Sequence, residues 1–551
     1  MPTPPEPPLS NLPSDTRPAL ITGADLGRRI DALFVNAPLR DYAQRPRVND
    51  FTLPVLGMGY LATYAASRGF NVGVLDAEAH GLGIDRTARI INDAAPRWAG
   101  FNLLAPTYES SARIATSLDP GIKIMLGGHQ AKAMPTEILT DPRISRCAAL
   151  VLGEGETRVA ELLTDDRARA GLPGVMWLDP IMTTPVAGGG SGNSHHLAPD
   201  INGLPFVDRG YLAQDPHCEA GRLEANMVGA RGCPYNCSFC GAAVSANPDI
   251  TIRTRDPYNI VAEMQQLREI GVTAFRFVDD LFLGARRVID HMMAAFTTEG
   301  IGDWAVWDAT GRINVLHRIT DDTLDILADS GLREVALGIE SGSERMLKLI
   351  DKRIDPSMTH SVVRRLTERG INVKGYFILG FPTETCQEID TTIRLVHDLW
   401  ELTDPLPGRF RVSAFEYRPY PGTPDWHRLM ATGRYTADQL LNYTAVDLTD
   451  AGGRVEVEPP PAAKLAPEFR LLRARSVIAE VPHDEVCPLL GGQRRYEHPI
   501  GLPGEILGSG ESEEEFADAQ LHHVSRAQRS RRASDELLPR DLGGVRQRGY
   551  A

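Results

Sequence analysis

Residues 224–243 read EANMVGARGCPYNCSFCGAA: an apolar strand running into a loop that carries Cys233, Cys237 and Cys240. Five further strand-like runs follow, VTAFRFVDD (272–280), DWAVWDAT (303–310), REVALGIE (333–340), INVKGYFILG (371–380) and RFRVSAFEY (409–417). A helical stretch fills each gap. In PYNIVAEMQQLREIG, Ile260, Met264 and Leu267 lie on one face and Gly271 stops the helix. Six β/α units predict a partial or complete barrel over 222–445, whose chemistry belongs on loops at the carboxyl ends of the strands. The cysteine triplet falls on the first such loop.

A second alternating series lies upstream. DALFVNAP (31–38), FNVGVLDAE (70–78), WAGFNLLAPT (98–107), GIKIMLGGHQ (121–130) and RCAALVLGEGE (146–156) read as strands, with helices such as VLGMGYLATYAASRG (55–69) between them. This predicts a doubly wound, Rossmann-like α/β domain over 30–165. Residues 1–29 are Pro-rich and read as disordered, and 166–221, with its VAGGGSGNSHH tract, as a linker. Residues 446–551, with ESEEEF and SRAQRSRR, read as a small helical segment followed by a disordered tail.

At 551 residues, 42% hydrophobic and 24% charged, the chain has globular composition with room for two or three domains. Its formal net charge of -14 argues against general nucleic-acid binding, which needs clustered cations. No run of about 20 apolar residues suggests a membrane span. The N-terminus lacks the basic and apolar parts of a secretory leader. Seven cysteines without such a leader do not read as a disulfide framework, so the reducing cytoplasm is the expected compartment.

The C-x3-C-x2-C spacing on a short loop suits three thiolates on one face of an iron–sulfur cubane, leaving the fourth iron open to a small molecule. Zinc is the alternative, and wants a fourth ligand, for which His217 or Cys218 are the candidates. Cys386, beside a barrel turn, is a further thiol of interest as a hydrogen donor, whereas Cys487 reads as an ordinary one.

The triplet, with aromatic Phe239 before its last cysteine, resembles the signature of the radical S-adenosylmethionine (SAM) superfamily, and the resemblance extends over the barrel. It implies a [4Fe–4S] cluster on Cys233, Cys237 and Cys240 that reductively cleaves SAM, with Phe239 bordering the adenine. FVDDLF (277–282) resembles the second-strand element, placing Asp279 and Asp280 near the cofactor. GIESGS (338–343) resembles the fourth-strand motif, placing Glu340 and Ser341 at the SAM ribose and amino-acid portion. Arg312 of GRIN would pair with the SAM carboxylate. ILGFPTET (378–385) and YRPYPGTP (417–424) resemble the turns closing the last two strands.

The upstream domain resembles the cobalamin-binding domain of one large radical SAM subfamily, through NAP (36–38), LPVLGMGYLA (53–62), LDAE (75–78), GGHQAKAMP (127–135) and LGEGE (152–156). DINGLPFVDRGYL (200–212) resembles the connector ahead of the barrel. Glu78, Thr107, Gly128, His129 and Glu154 are then candidate cobalamin contacts. Asp76, Glu78 and Gly81 keep the spacing of D-x-H-x-x-G with Glu in the histidine place, so no histidine is expected on cobalt. The pairing implies a methyltransferase acting on an unactivated carbon of a small molecule, in natural-product biosynthesis, with a flavodoxin or ferredoxin as electron donor. A non-methylating rearrangement or cyclisation is the alternative. A radical methylthiotransferase would need auxiliary cysteines, and only Cys147 precedes the linker.

Overall fold

The computed structural model describes residues 20–44, 52–144, 146–189, 198–219, 221–242, 252–417, 419–431 and 433. Residues 1–19 of the expected disordered N-terminus and all of the expected tail, 446–551 with Cys487, lie outside the described residues; residues 20–29 are a correction, because Ile21–Thr22 pairs antiparallel with Val74–Leu75 as an edge strand of the first sheet.

The first sheet has eight strands: β1 (Ile21–Thr22), β2 (Ala32–Asn36), β3 (Val72–Asp76), β4 (Trp98–Asn102), β5 (Lys123–Gly127), β6 (Cys147–Val151), β7 (Val175–Leu178) and β8 (Pro185–Ala187). Its order is β1-β3-β2-β4-β5-β6-β7-β8, with β2 to β6 parallel. β2, β3 and β4 are buried along almost their whole length, because helices cover both faces of a parallel sheet. The crossover reverses between β2 and β4, so the loops after these strands open a crevice at the carboxyl edge, where ligands of such sheets bind.

The segment expected as a linker, 166–221, is a correction. Val175–Leu178 and Pro185–Ala187 form an antiparallel hairpin that extends this sheet beside β6. The glycine tract masked the VMWL run, whose apolar residues finish the sheet edge. β9 (His217–Glu219) joins the second sheet instead.

That sheet holds β10 (Arg222–Met227), β13 (Val272–Phe277), β14 (Val306–Gly311), β15 (Leu332–Glu340), β16 (Asn372–Leu379) and β17 (Phe410–Glu416), all parallel and in chain order, with β9 antiparallel beside β10. β10 and β17 do not pair, so the barrel is open, the partial form of the expected (β/α)6 unit. Burial in β16 alternates residue by residue: Val373, Phe377 and Leu379 face the helix layer, while Lys374, Tyr376 and Ile378 face a partly open interior. Deep in that interior Glu224 pairs with Arg276 at 3.1 Å and Arg333 at 2.7 Å, and Arg411 pairs with Glu334 at 2.6 Å. A two-stranded ribbon, β11 (Ala230–Arg231) with β12 (Arg253–Thr254), flanks the cysteine loop. No helix among the described residues is long and apolar enough to cross a membrane.

Candidate cofactor site

Cys233, Cys237 and Cys240 lie past the carboxyl end of β10, on a loop fixed at both ends. At its entry the Asp279 carboxylate accepts the Gly229 N–H at 2.9 Å and the Ala230 N–H at 2.7 Å. Burial pushes the Asp279 carboxyl up to about 7, against the pull of those two bonds. Asp279 is therefore spent on the backbone leading into the loop, and its neighbour Asp280 is the one that faces outward. Within the loop the Cys240 N–H reaches the Cys237 carbonyl at 3.1 Å, and the Ser238 N–H the Ile350 carbonyl.

Arg312 stands beside the thiols. Its guanidinium lies 3.4 Å from the Tyr235 ring centroid, donates to the Lys352 carbonyl at 2.5 Å and comes within 3.7 Å of Cys237 Sγ. It is 6% exposed, and its Nε has no hydrogen-bond partner. A buried cation with spare donor capacity, set against three thiols, suits an anionic cluster and the carboxylate of a ligand on it. Burial pushes the Cys240 thiol up to about 11, so a bound metal is what would make it a thiolate.

Neither candidate for a fourth zinc ligand lies near the cysteine loop. Cys218 pairs with Leu223 at the amino end of β10, roughly 13 Å of strand from its carboxyl end. His217 shares that end. Among the described residues no three His, Cys, Asp or Glu side chains, the three loop cysteines included, already converge as ligands of one metal ion, so this separates neither metal from the other.

The GIESGS residues divide. Glu340 sits at φ 65° with its carboxylate 2.6 Å from Lys352 Nζ, and both side chains are nearly buried. Ser341 is wholly buried and shares a hydrogen bond with Thr392 at 3.2 Å while accepting the Ser343 N–H, which makes it a turn-fixing group. Phe239 packs edge-on to Phe381, with centroids 5.4 Å apart, and Phe381 in turn contacts Tyr417.

Across the gap, the cobalamin-domain candidates behave unequally. Glu78 accepts the Leu39 N–H at 2.8 Å and the Tyr42 hydroxyl at 2.6 Å, so it pins the loop after β2. The Thr107 hydroxyl accepts the Leu104 N–H within its own turn. Gly128 is at φ 99°, and a Cβ there would meet Asn102 Oδ1 at 2.3 Å and the Leu103 carbonyl at 2.7 Å. This close approach shapes a cradle at the crevice edge. The His129 side chain keeps solvent access. Desolvation by the surrounding protein lowers its pKa, and the charge of Asp280 of the barrel opposes that shift. Glu154 pairs with Arg231 at 2.7 Å and with Arg253, so its carboxylate serves the interface between domains.

Sequence reasoning missed Tyr235, Lys352, Arg231 and Arg253, and also Arg158, whose buried guanidinium holds the Leu152 carbonyl at 2.6 Å. Tyr235 had a usable signal, an aromatic inside the triplet. Lys352, Arg231 and Arg253 are paired through space with no local pattern, whereas Arg158 holds carbonyls of the adjoining loop. Cys386 is the first residue of the helix Cys386–Thr403.

An open six-stranded barrel with three cysteines on its first loop and a buried cation beside them defines a radical SAM fold, and the model of the radical SAM superfamily matches residues 227–396. The model of the B12 binding domain matches residues 48–163. The chain therefore carries a radical SAM domain with a B12-binding domain ahead of it. Its cofactors are the [4Fe–4S] cluster, SAM and cobalamin. An uncharacterised methyltransferase of Pyrococcus horikoshii is 27% identical over 411 residues, covering 73% of this chain and 84% of that one. The cytidylyl-2-hydroxyethylphosphonate methyltransferase of Streptomyces wedmorensis is 25% identical, covering 59% and 69%. The radical SAM methyltransferase TsrM from Kitasatospora setae, solved with tryptophan and a SAM analogue, superposes with a TM-score of 0.56 at 18% identity, covering 74% and 76%, which is a likeness of fold.

Proposed function

We propose that this protein is a cobalamin-dependent radical SAM methyltransferase that methylates an unactivated carbon of a small molecule. The observation that carries the reading is the approach of the two domains at Asp280 of the barrel, whose charge acts both on His129 of the cobalamin domain and on the thiols of Cys233 and Cys240. Loops of both domains brought this close would hold the two cofactors within reach of one substrate. When bound, the cluster supplies the electron that cleaves SAM, and cobalamin supplies the methyl carrier.

The chain's own residues bind, orient and exclude water. Cys233, Cys237 and Cys240 hold the cluster. Arg312 takes the SAM carboxylate with its spare donors, Phe239 borders the adenine, and the Glu340–Lys352 pair offers one acceptor and one donor to the amino-acid and ribose portions. On the other side the Gly128 turn would let the backbone approach a bound cobalamin, and His129 would be a contact for it. With Glu78 engaged by Leu39 and Tyr42, the Asp76–Gly81 loop presents no side-chain ligand to cobalt from that position. A flavodoxin or ferredoxin in the reducing cytoplasm fits as electron source. Late methylation of a natural product is the role that goes with this reading.

The test uses SAM carrying a deuterated methyl group, with cluster- and cobalamin-loaded enzyme and a strong reductant under nitrogen. Methyl transfer predicts labelled methylcobalamin together with S-adenosylhomocysteine and 5′-deoxyadenosine. 5′-Deoxyadenosine without S-adenosylhomocysteine would exclude methyl transfer and favour a rearrangement or cyclisation.

A further inference from the structure

The cysteine loop is gripped at two points, once by the cobalamin domain and once by the helix that follows the barrel and docks on that domain. Arg231, two residues before Cys233, is held by Glu154 at 2.7 Å, from the loop after β6, and by Glu156 at 2.8 Å, the first residue of the helix that follows, and lies over the Tyr60 ring. Ser238, the residue after Cys237, is held by Asp425. The Ser238 hydroxyl donates to Asp425 Oδ2 at 3.2 Å, and the Asp425 N–H donates to the Ser238 carbonyl at 3.0 Å.

Asp425 belongs to the short helix Pro424–Ala431 that follows the last barrel strand. It is 5% exposed, and Arg428 anchors its other oxygen at 3.2 Å. The next residue, Trp426, is 4% exposed and packs, with Met430, into the apolar core of the first domain, among residues of the β2-to-β6 sheet and its helices. Thr423 accepts the Trp426 N–H and closes the turn that starts this helix. The helix therefore touches the cluster loop with one residue and the cobalamin domain with the next. No part of this connection runs through the segment between the domains.

We infer that Asp425 is a positioning residue and that the helix Pro424–Ala431, together with the Glu154–Arg231 pair, couples the two cofactor sites, so that cobalamin binding tightens SAM binding at the cluster. The physical reason is that the loop after β6 neighbours the Gly128 turn on the adjacent strand β5. A ligand seated there orders the domain face on which Arg231 and Trp426 are docked. SAM then meets a cysteine loop whose ordering has already been met. The coupling is reciprocal by necessity.

The test uses the full-length, cluster-reconstituted protein and reads SAM binding through the change in the electron paramagnetic resonance spectrum of the reduced cluster, with and without hydroxocobalamin. In the natural chain cobalamin should lower the SAM Kd about tenfold, within the usual span of coupling between sites. Ser238→Ala and Asp425→Ala should each bring that factor close to one while iron and cobalt contents stay at natural levels. The double variant should lose no more than either single one, because both remove the same bond. Asp425→Asn should restore the factor, since its amide oxygen can accept the Ser238 hydroxyl, a rescue that mere packing would not give. A factor of one in the natural chain, or an undiminished factor in Asp425→Ala and Ser238→Ala, overturns the inference. Failure to bind cobalamin at all would overturn the proposed function with it, whereas cobalamin binding without a change in SAM affinity overturns the coupling alone.

Discussion

Gly128→Ala is the substitution whose effect the structure specifies most fully. The residue sits at φ 99°, ψ -177°, a region essentially reserved for glycine, so an alanine there carries strain of about 1–3 kcal/mol. Its Cβ would also stand 2.7 Å from the Leu103 carbonyl oxygen and 2.9 Å from the Leu103 nitrogen, both backbone atoms of the loop after β4. Moving that loop adds an overpacking cost of about 1–3 kcal/mol. The two terms sum to about 2–6 kcal/mol, concentrated on the crevice where the β2 and β4 loops part. Relief of that cost by displacing the Leu103 backbone would reshape the crevice, and loss of about 1.4 kcal/mol of cofactor contact there weakens cobalamin binding about tenfold. The assay is hydroxocobalamin titration followed by absorbance, with bound cobalt and iron measured after desalting. Gly121→Ala is the control, because a Cβ there meets nothing within 4 Å. The account expects Gly128→Ala to lose cobalt and keep iron, with Gly121→Ala unchanged. Natural cobalamin affinity in Gly128→Ala would refute the assignment of this turn to the cofactor cradle.

Two further substitutions address the barrel. Arg312→Met removes a charge-assisted donor worth about 1.5–3 kcal/mol, so SAM should bind about 10–100-fold more weakly while iron content holds. An unaltered spectroscopic titration of the reduced cluster with SAM would contradict the role given to Arg312. Glu388→Gln probes the capping of the helix Cys386–Thr403. Burial raises the pKa of this carboxyl, but Arg345, the Thr385 N–H and the Ser343 and Thr385 hydroxyls outweigh it and hold it at about 2. A depressed acid stabilises the fold above its unfolded pKa and loses that contribution as pH falls toward 2. Allowing for the half-exposed Arg345, the natural chain should exceed the variant by ~2 kcal/mol at pH 7, and urea unfolding should show the gap closing between about pH 4.5 and 2. A gap independent of pH would contradict this.

Much of the architecture was readable because each unit declares itself locally. The runs at 31–38, 70–78 and 98–107 became strands β2, β3 and β4, and the six barrel runs all became strands in chain order. The placement of Cys233, Cys237 and Cys240 was legible for the same reason, since the loop follows directly from β10. What escaped was non-local. The Val175–Leu178 hairpin pairs with β6 across the expected linker boundary, and nothing near it in sequence says so. Glu154 looked like a cofactor contact by motif, yet its partner Arg231 lies 77 residues away. Asp279 matched a motif near the cofactor, but two backbone N–H groups claim its carboxylate. Asp425 was invisible because its importance comes from Ser238, 187 residues upstream.

The central claim, that one chain holds a radical-generating cluster and cobalamin on facing loops, is tested most directly by metal analysis. The protein is purified without oxygen, reconstituted with iron, sulfide and hydroxocobalamin, and desalted before iron, sulfide, cobalt and zinc are measured. The account predicts about four irons per chain with near-stoichiometric cobalt, and a Cys233→Ala/Cys237→Ala/Cys240→Ala variant that keeps cobalt and loses iron. Zinc in place of iron, or iron with no cobalt retained, would contradict it.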